Sequence, residues 1–387
     1  MRWIVAIFVA LLAGCSTVPL TQVDATSFFN DNLFKPASAA TEPGDIFALT
    51  DEMKAFMNRE IGSSMHGVDR RRALFDALYS RQQLKLEYDS SITRNAAQAF
   101  ADRSGNCLSL VILTAAFAKQ MGVPVQYQNV FSNQTVSRIN DIVYVSGHVN
   151  LTLTSEQTGS RLADVNIKPM TIDFLPPKDT AGQHVRAIRE ATIVAMYLNN
   201  RAAETFSEGH MDDAYHWARS AIEQDPTLLA AYNTLAVIYL RHGNLREAEQ
   251  VLRYLVTVGP EDPSPMSNLI VVLDKLGMAD ESRKWHEKLA KIQLFPPFHF
   301  FDIGMQAMRD KDFTKAQEMF AKEVARAPYY HEFHAWLAAA DYELDDGDGA
   351  RKQLELAIQY STTSADREIY AARLAVLNST RRNLLRH

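Results

Sequence analysis

The sequence predicts an α+β domain followed by an all-α solenoid of short repeats. Two observations carry that reading. Ala214, Ala248, Ser282, Ala316 and Ala350 recur at a constant step of 34 residues, and Gly209, Gly243 and Gly277 keep the same step, which is the signature of stacked helical pairs. Ahead of them, a cysteine opening a helical stripe is followed by period-two segments that carry a histidine and two aspartates. Composition agrees: 387 residues, 47% hydrophobic and 22% charged, are enough for two or three ordinary domains. A formal charge of −6 and a pI near 6.0 argue against a general nucleic-acid binder, which needs a basic surface to displace counterions. Two cysteines, Cys15 and Cys107, are too few for a disulfide scaffold or a cysteine-rich zinc site.

The chain opens with Met1 and Arg2, then an apolar run from Trp3 to Leu11 that is too short to span a bilayer as a permanent helix. It leads into Leu12-Ala13-Gly14-Cys15 and Ser16-Thr17. That tetrapeptide resembles the lipobox of bacterial lipoproteins. The resemblance implies a signal peptide over 1–14 and a lipidated Cys15 as the first mature residue. Ser16, rather than aspartate, then implies outer-membrane delivery facing the periplasm. Acyl chains hold a protein at a membrane because each buried methylene contributes roughly 0.8 kcal/mol. Residues 15–44 are rich in Thr, Ser, Ala and Pro without a strong period, and read as a tether. With Cys15 lipidated, Cys107 is the one free thiol in an oxidising compartment, either buried and inert or kept for chemistry.

Residues 45–180 form the expected α+β domain. Two amphipathic stretches, 45–61 and 68–81, predict helices separated by a break at Gly62–Gly67, and Leu84–Tyr88 alternates like a short strand. A third helix over about 93–102 precedes Arg103-Ser104-Gly105-Asn106-Cys107. Leu108, Val111, Ile112, Ala115 and Ala118 then mark a helical stripe that ends at Met121-Gly122. Cys107 therefore sits in the first turn of a helix, where unpaired amides and the positive dipole end favour a thiolate and can hold an oxyanion. The same position also suits a small core residue. Val143–Leu153 alternates with an interruption at Gly147, and puts His148, Asn150 and Thr152 on one face. Asp164 and Asp173 are the two carboxylates that could orient the imidazole toward the sulfur.

Arg103-x-Gly105-x-Cys107, the helix after it, its Gly122-Val123-Pro124 exit and the His-then-Asp strands resemble the transglutaminase-like superfamily of papain-type thiol folds. The resemblance implies a catalytic Cys107, His148 and Asp. Asp173 is preferred, because an apolar run, an Asp, an aromatic and Pro-Pro resemble the family's strand ending. Asp164 is the alternative, being 16 rather than 25 residues beyond His148. Asn150 and Thr152 replace the aromatic and acidic residues that often follow the family's histidine. His66 lies in a Gly-Ser loop without strand context and reads as solvated. No phosphate-loop, dinucleotide, HExxH or CxxC motif is present. Asp345-Asp346-Gly347-Asp348-Gly349 lacks the spacing and closing Glu of a calcium loop. Neither a metal nor a cofactor is expected.

Residues 181–364 are the repeats. Tyr232, Leu235, Ala236, Tyr239, Gly243, Ala248, Leu252 and Pro260 resemble the tetratricopeptide pattern nearly position for position, and four further units keep parts of it; the third, with Leu269, Gly277 and Leu289, is the weakest. Small residues at the eighth and twentieth positions let paired helices cross closely, with large apolar ones between them. Residues 365–387 read as a capping helix with a solvated Arg-rich end. The resemblance implies a groove for a protein or peptide, with Asn199 and Asn233 at matching positions where amides can pair with an extended backbone. Two functions follow as expectations. The first is a lipid-anchored transglutaminase-like cysteine peptidase or amidase acting on envelope proteins or peptides, hydrolysis being favoured over cross-linking. The second is a non-catalytic envelope scaffold carrying a degenerate thiol domain.

Overall fold

A computed structural model describes residues 24–38, 41, 44–61, 69–79, 84, 86–90, 92–139, 142–154, 169–174 and 184–384, with backbone alone over 131–146, 184 and 380–384. Helix α1 (Asp51–Glu60) starts at Thr50, whose hydroxyl accepts from Met53 N at 3.2 Å, and it buries Met53 and Phe56. Helix α2 (Arg70–Tyr79) buries Leu74, Ala77 and Leu78. Strand β1 (Glu87–Tyr88) pairs in parallel with β2 (Ser104–Gly105), and α3 (Ala96–Asp102) lies between them. A capping box of Asn95 and Gln98 starts α3.

Helix α4 (Cys107–Gln120) is the centre of this domain. Every residue from Leu108 to Ala118 is buried, as a helix apolar all round must be. It packs against a four-stranded antiparallel sheet of order β5-β4-β3-β6, made of Val125–Ile139 (β3), Ile142–Leu153 (β4), Met170–Ile172 (β5) and His184–Ile188 (β6). Strand β6 pairs with β3 from Tyr127↔Ile188 to Phe131↔His184. The sheet therefore extends past the boundary expected at residue 180, and the repeats begin at Glu190. Five residues of mixed polarity on an edge strand give too short a pattern to read from sequence.

The repeats are five antiparallel helical pairs: α5 (Glu190–Ser207) with α6 (Met211–Gln224), α7 (Leu229–His242) with α8 (Leu245–Val258), α9 (Pro263–Lys275) with α10 (Ala279–Ile292), α11 (His299–Arg309) with α12 (Phe313–Arg326), and α13 (His331–Glu343) with α14 (Gly347–Tyr360). Helix α15 (Ser364–Leu384) closes the array. Ala214, Ala248, Ser282, Ala316 and Ala350, which defined the step in sequence, are all at most 2% exposed. The turn inside each pair has one left-handed residue in the same phase: Gly209, Gly243 and Gly277, then Lys311 (φ 60°) and Asp345 (φ 61°). The last two units keep the turn geometry without the glycine. Asp346 caps α14 by accepting from Gly349 N at 2.8 Å, so the Asp345–Gly349 run is a repeat turn.

Close crossing is visible at Gly304 on α11. A Cβ there would lie 2.6 Å from Cε1 of Phe320, a ring with no exposure. Gly304→Ala should therefore destabilise the fourth repeat by about 1–3 kcal/mol, although alanine is the better helix former. Thermal unfolding with Phe320→Leu as a second-site relief checks it; an unchanged midpoint would contradict this packing.

One apolar core runs from Phe28 through the α+β domain into the first three repeats, ending at Leu273. It restarts at Phe298 in the fourth repeat and again around Leu354 and Tyr370. Ser90 N donates to Thr362 O at 3.0 Å, so the far end of the array returns to the β1 end of the α+β domain. The expected tether is not a free linker throughout. Residues 24–38 form two 3₁₀ turns, Ala25–Phe28 and Asp31–Leu33, that lie against the first two repeats. Their buried anchors, Phe28 and Phe34, are six residues apart and fit neither a helix nor a strand period, so the segment carries no pattern of its own.

Candidate active site

Helix α4 begins at Cys107 because Asn106 caps it. Asn106 Oδ1 accepts from Ser109 N and from Ser109 Oγ, both at 2.9 Å, while its Nδ2 donates to Thr93 Oγ1 at 2.8 Å. Ser109 Oγ also accepts from Arg94 N at 2.8 Å. Thr93 and Ser109 are 2% and 0% exposed, so their polar atoms must be paired inside the protein. The first repeat joins this network. Asn200 Nδ2 donates to Thr93 Oγ1 at 3.1 Å, and Glu204 Oε1 accepts from Thr93 N at 2.7 Å. Burial holds the Glu204 carboxyl above its ordinary value against the hydrogen bonds from Thr93 and the Arg201 charge.

Strand β2 sets the approach to the cysteine. Arg103 takes a left-handed conformation at the end of α3 (φ 53°), and Gly105 follows within 2.6 Å (measured from an ideal Cβ) of Ser109 Cβ. Gly105 O accepts from Asp89 N at 3.0 Å. Backbone and helix start are locked together at the residue pair before Cys107, leaving the sulfur at the positive end of α4. Cys107 itself is half-buried.

His148 lies on β4, 5% exposed. Its Nε2 is 2.7 Å from Asp173 Oδ1, immediately after β5. The other carboxylate oxygen of Asp173 accepts from Asn150 Nδ2 at 2.8 Å, and Thr152 Oγ1 meets Thr171 Oγ1 at 2.9 Å. Register explains the match. Leu151 pairs with Ile172 and Thr152 with Thr171, so the face of β4 bearing His148 and Asn150 meets the residue that leaves β5. With Nε2 committed to Asp173, Nδ1 is the nitrogen left for Cys107. Burial alone would lower the imidazole's pKa. Hydrogen bonding to Asp173 and the neighbouring Cys107, with the charges of both, outweighs burial and pushes it up to about 9. Burial, then the charges of Cys107 and Asp89, hold the phenol of Tyr88 on β1 well above the usual range.

The structure thus hydrogen-bonds His148 to Asp173 and sets this pair close enough to Cys107 for the cysteine to raise the imidazole's pKa. Asp164, His66 and Cys15 lie outside the described residues. Sequence reading treated Asn150 as a departure; here it is the second partner of Asp173, and its own Oδ1 is buried without a partner. At the β1–β2 pair, a cleft of about 350 Å³ is lined by Tyr88, Asp89, Arg103 and Ser104 and, from the start of α15, by Ser364 and Arg367; Cys107, His148 and Asp173 are not among its lining residues. Among the described residues no cluster of His, Cys, Asp and Glu could hold a metal ion, and no helix is long and apolar enough to cross a membrane.

Of the expected groove residues, Asn233 Oδ1 accepts from Asn268 Nδ2 at 3.0 Å. Asn199 Oδ1 is buried without a hydrogen-bond partner, on the helix that packs against the α+β domain. A peptide segment held by the repeats, residues 24–38, lies elsewhere, on the seam of α6, α7 and α8.

Residues 205–273 match the model of the tetratricopeptide repeat family. Together with the five helical pairs, this makes the C-terminal part of the chain an all-helical tetratricopeptide solenoid. No curated protein matches the chain. Among solved structures, YrrB, described as a TPR protein with an unusual peptide-binding site, is 18% identical, covering 46% of this chain and 92% of its own at a TM-score of 0.25. PilF of Pseudomonas aeruginosa is 18% identical, covering 50% and 88% at 0.29. TTC0263, a thermophilic TPR protein of Thermus thermophilus, is 17% identical, covering 47% and 99% at 0.29.

Proposed function

We propose that this chain is an envelope lipoprotein, anchored through Cys15 at the outer membrane and facing the periplasm, that uses Cys107, His148 and Asp173 to cleave an amide or peptide bond while its repeats hold a protein partner. The observation that carries the chemistry is the 2.7 Å His148–Asp173 hydrogen bond, on an imidazole whose pKa the nearby Cys107 at a helix N-terminus helps to raise. In this reading the Cys107 thiolate attacks the acyl carbon and forms a C–S bond. Backbone amides in the first turn of α4 hold the oxyanion. His148 gives its proton to the departing amine as the C–N bond breaks, leaving a thioester. It then takes a proton from the water that attacks the thioester. The C–S bond breaks, the acid leaves, and the thiolate and protonated His148 are restored; an amine in place of water would give a cross-link. Asp173 holds the ring orientation, and Asn150 holds Asp173.

A scaffold without catalysis is the second reading, favoured by the tetratricopeptide array, an architecture built for protein interaction. Iodoacetamide alkylation separates the two. In the Cys15→Ser chain, Cys107 is the only thiol. A rate that stays high from pH 8 down to pH 6, below the range of an unassisted thiol near 8.5, supports the enzyme. A rate falling about tenfold per pH unit over that interval leaves the scaffold.

A further inference from the structure

The segment 24–38 is bound as a ligand is bound. Tyr215 and Tyr239 are fully buried in the repeats, yet their hydroxyls turn outward onto it. Asn30 N donates to both, at 2.9 Å and 3.0 Å. Tyr239 OH in turn donates to Phe28 O at 2.9 Å, and Tyr215 OH donates to Asp31 Oδ1 at 2.7 Å. Asp212 and Asp213 on α6 accept from Lys35 N at 3.0 Å and Ser38 N at 2.6 Å, and His216 Nε2 lies 2.8 Å from Lys35 O. Side chains of the array thus read main-chain groups, which a peptide of any sequence presents when it takes up these two turns. Selectivity comes from two aromatic anchors six residues apart. Phe28 lies edge-on to Tyr232 with centroids 5.7 Å apart, and Phe34 stacks on Tyr215 at 4.0 Å; both are under 9% exposed. Between them Asn30 Nδ2 reaches Glu247 at 3.2 Å, and Asp31 meets Arg219 at 2.7 Å.

Beyond packing Phe28 and Phe34 into the core, this segment is met along its backbone by tyrosine hydroxyls. We propose that the seam of α6, α7 and α8 is a peptide-recognition site, held closed in cis by residues 24–38, which takes in trans a partner segment able to form the same two turns, with two aromatic residues six apart flanking an Asn-Asp pair. Being covalently linked, the cis segment competes at an effective concentration on the order of millimolar.

The test uses the full chain and a fluorescein-labelled peptide of residues 24–38. Phe28→Ala with Phe34→Ala releases the cis segment; Asn30→Pro, which removes the N–H shared by both tyrosines, releases it independently. Either variant should bind the peptide 1:1 at least about tenfold more tightly than the unaltered chain. Adding Tyr215→Phe and Tyr239→Phe should abolish that gain while circular dichroism stays unchanged. Equal binding by the unaltered chain would overturn the proposal, as would no binding by two released variants that keep their helicity. A concentration-dependent dimer of the unaltered chain in light scattering would assign the segment to a second copy and overturn closure in cis.

Discussion

His148→Ala should lower the alkylation rate of Cys107 at pH 6 by about a hundredfold, because the sulfur then loses the imidazole that would take its proton. Asp173→Asn keeps the shape but not the charge, so a smaller loss of about tenfold is expected. Asn150→Ala, which removes one hydrogen bond to Asp173, should cost less again. Folding gives a second readout. The imidazole's pKa is raised from 6.5 to about 9 in the folded chain. A raised folded value means stability fully present below pH 6.5 and lost as pH rises through about 9. The unaltered protein should therefore lose thermal stability across that window, and His148→Ala should not show the loss. A rate indifferent to His148 would remove the imidazole from the chemistry, whatever its distance from Asp173.

Gly105→Ala carries the second large effect, because it strikes the helix start from the backbone side. The added methyl would meet Ser109 Cβ at 2.6 Å. That atom is fixed to α4 and, unlike the end of a flexible chain, cannot rotate away. Either β2 leaves β1 or α4 shifts with Cys107. The expected cost is about 2–3 kcal/mol of stability, together with a fall in alkylation rate at pH 6. Ser109→Gly in the same chain should recover part of the stability by reopening the space. Ser109→Ala, which keeps the clashing Cβ, should recover none. Denaturant unfolding of the three variants checks the ordering.

The features legible in the sequence were those written locally. A step of 34 residues marks each place where two helices cross, since only a small residue fits there, and all five marked residues are buried. Cys107 at a helix start was also readable, from Gly105-Asn106 ahead of an apolar stripe. The left-handed turns were legible where glycine supplies them and not at Lys311 and Asp345, where helix packing imposes the same φ.

Tertiary structure decided what depends on register and on distance along the chain. Asp173 meets His148 because β5 pairs with β4 so that Thr152 faces Thr171, and no spacing rule contains that pairing. Asn150 gained a partner by the same register. Residues 24–38 looked like a tether because their buried anchors, Phe28 and Phe34, follow no helix or strand period and their backbone bonds go to tyrosines and aspartates 175 to 211 residues away. Periodicity reports which face of an element is buried. It cannot report which distant hydroxyl will satisfy a backbone N–H, because that choice is made only when the elements pack.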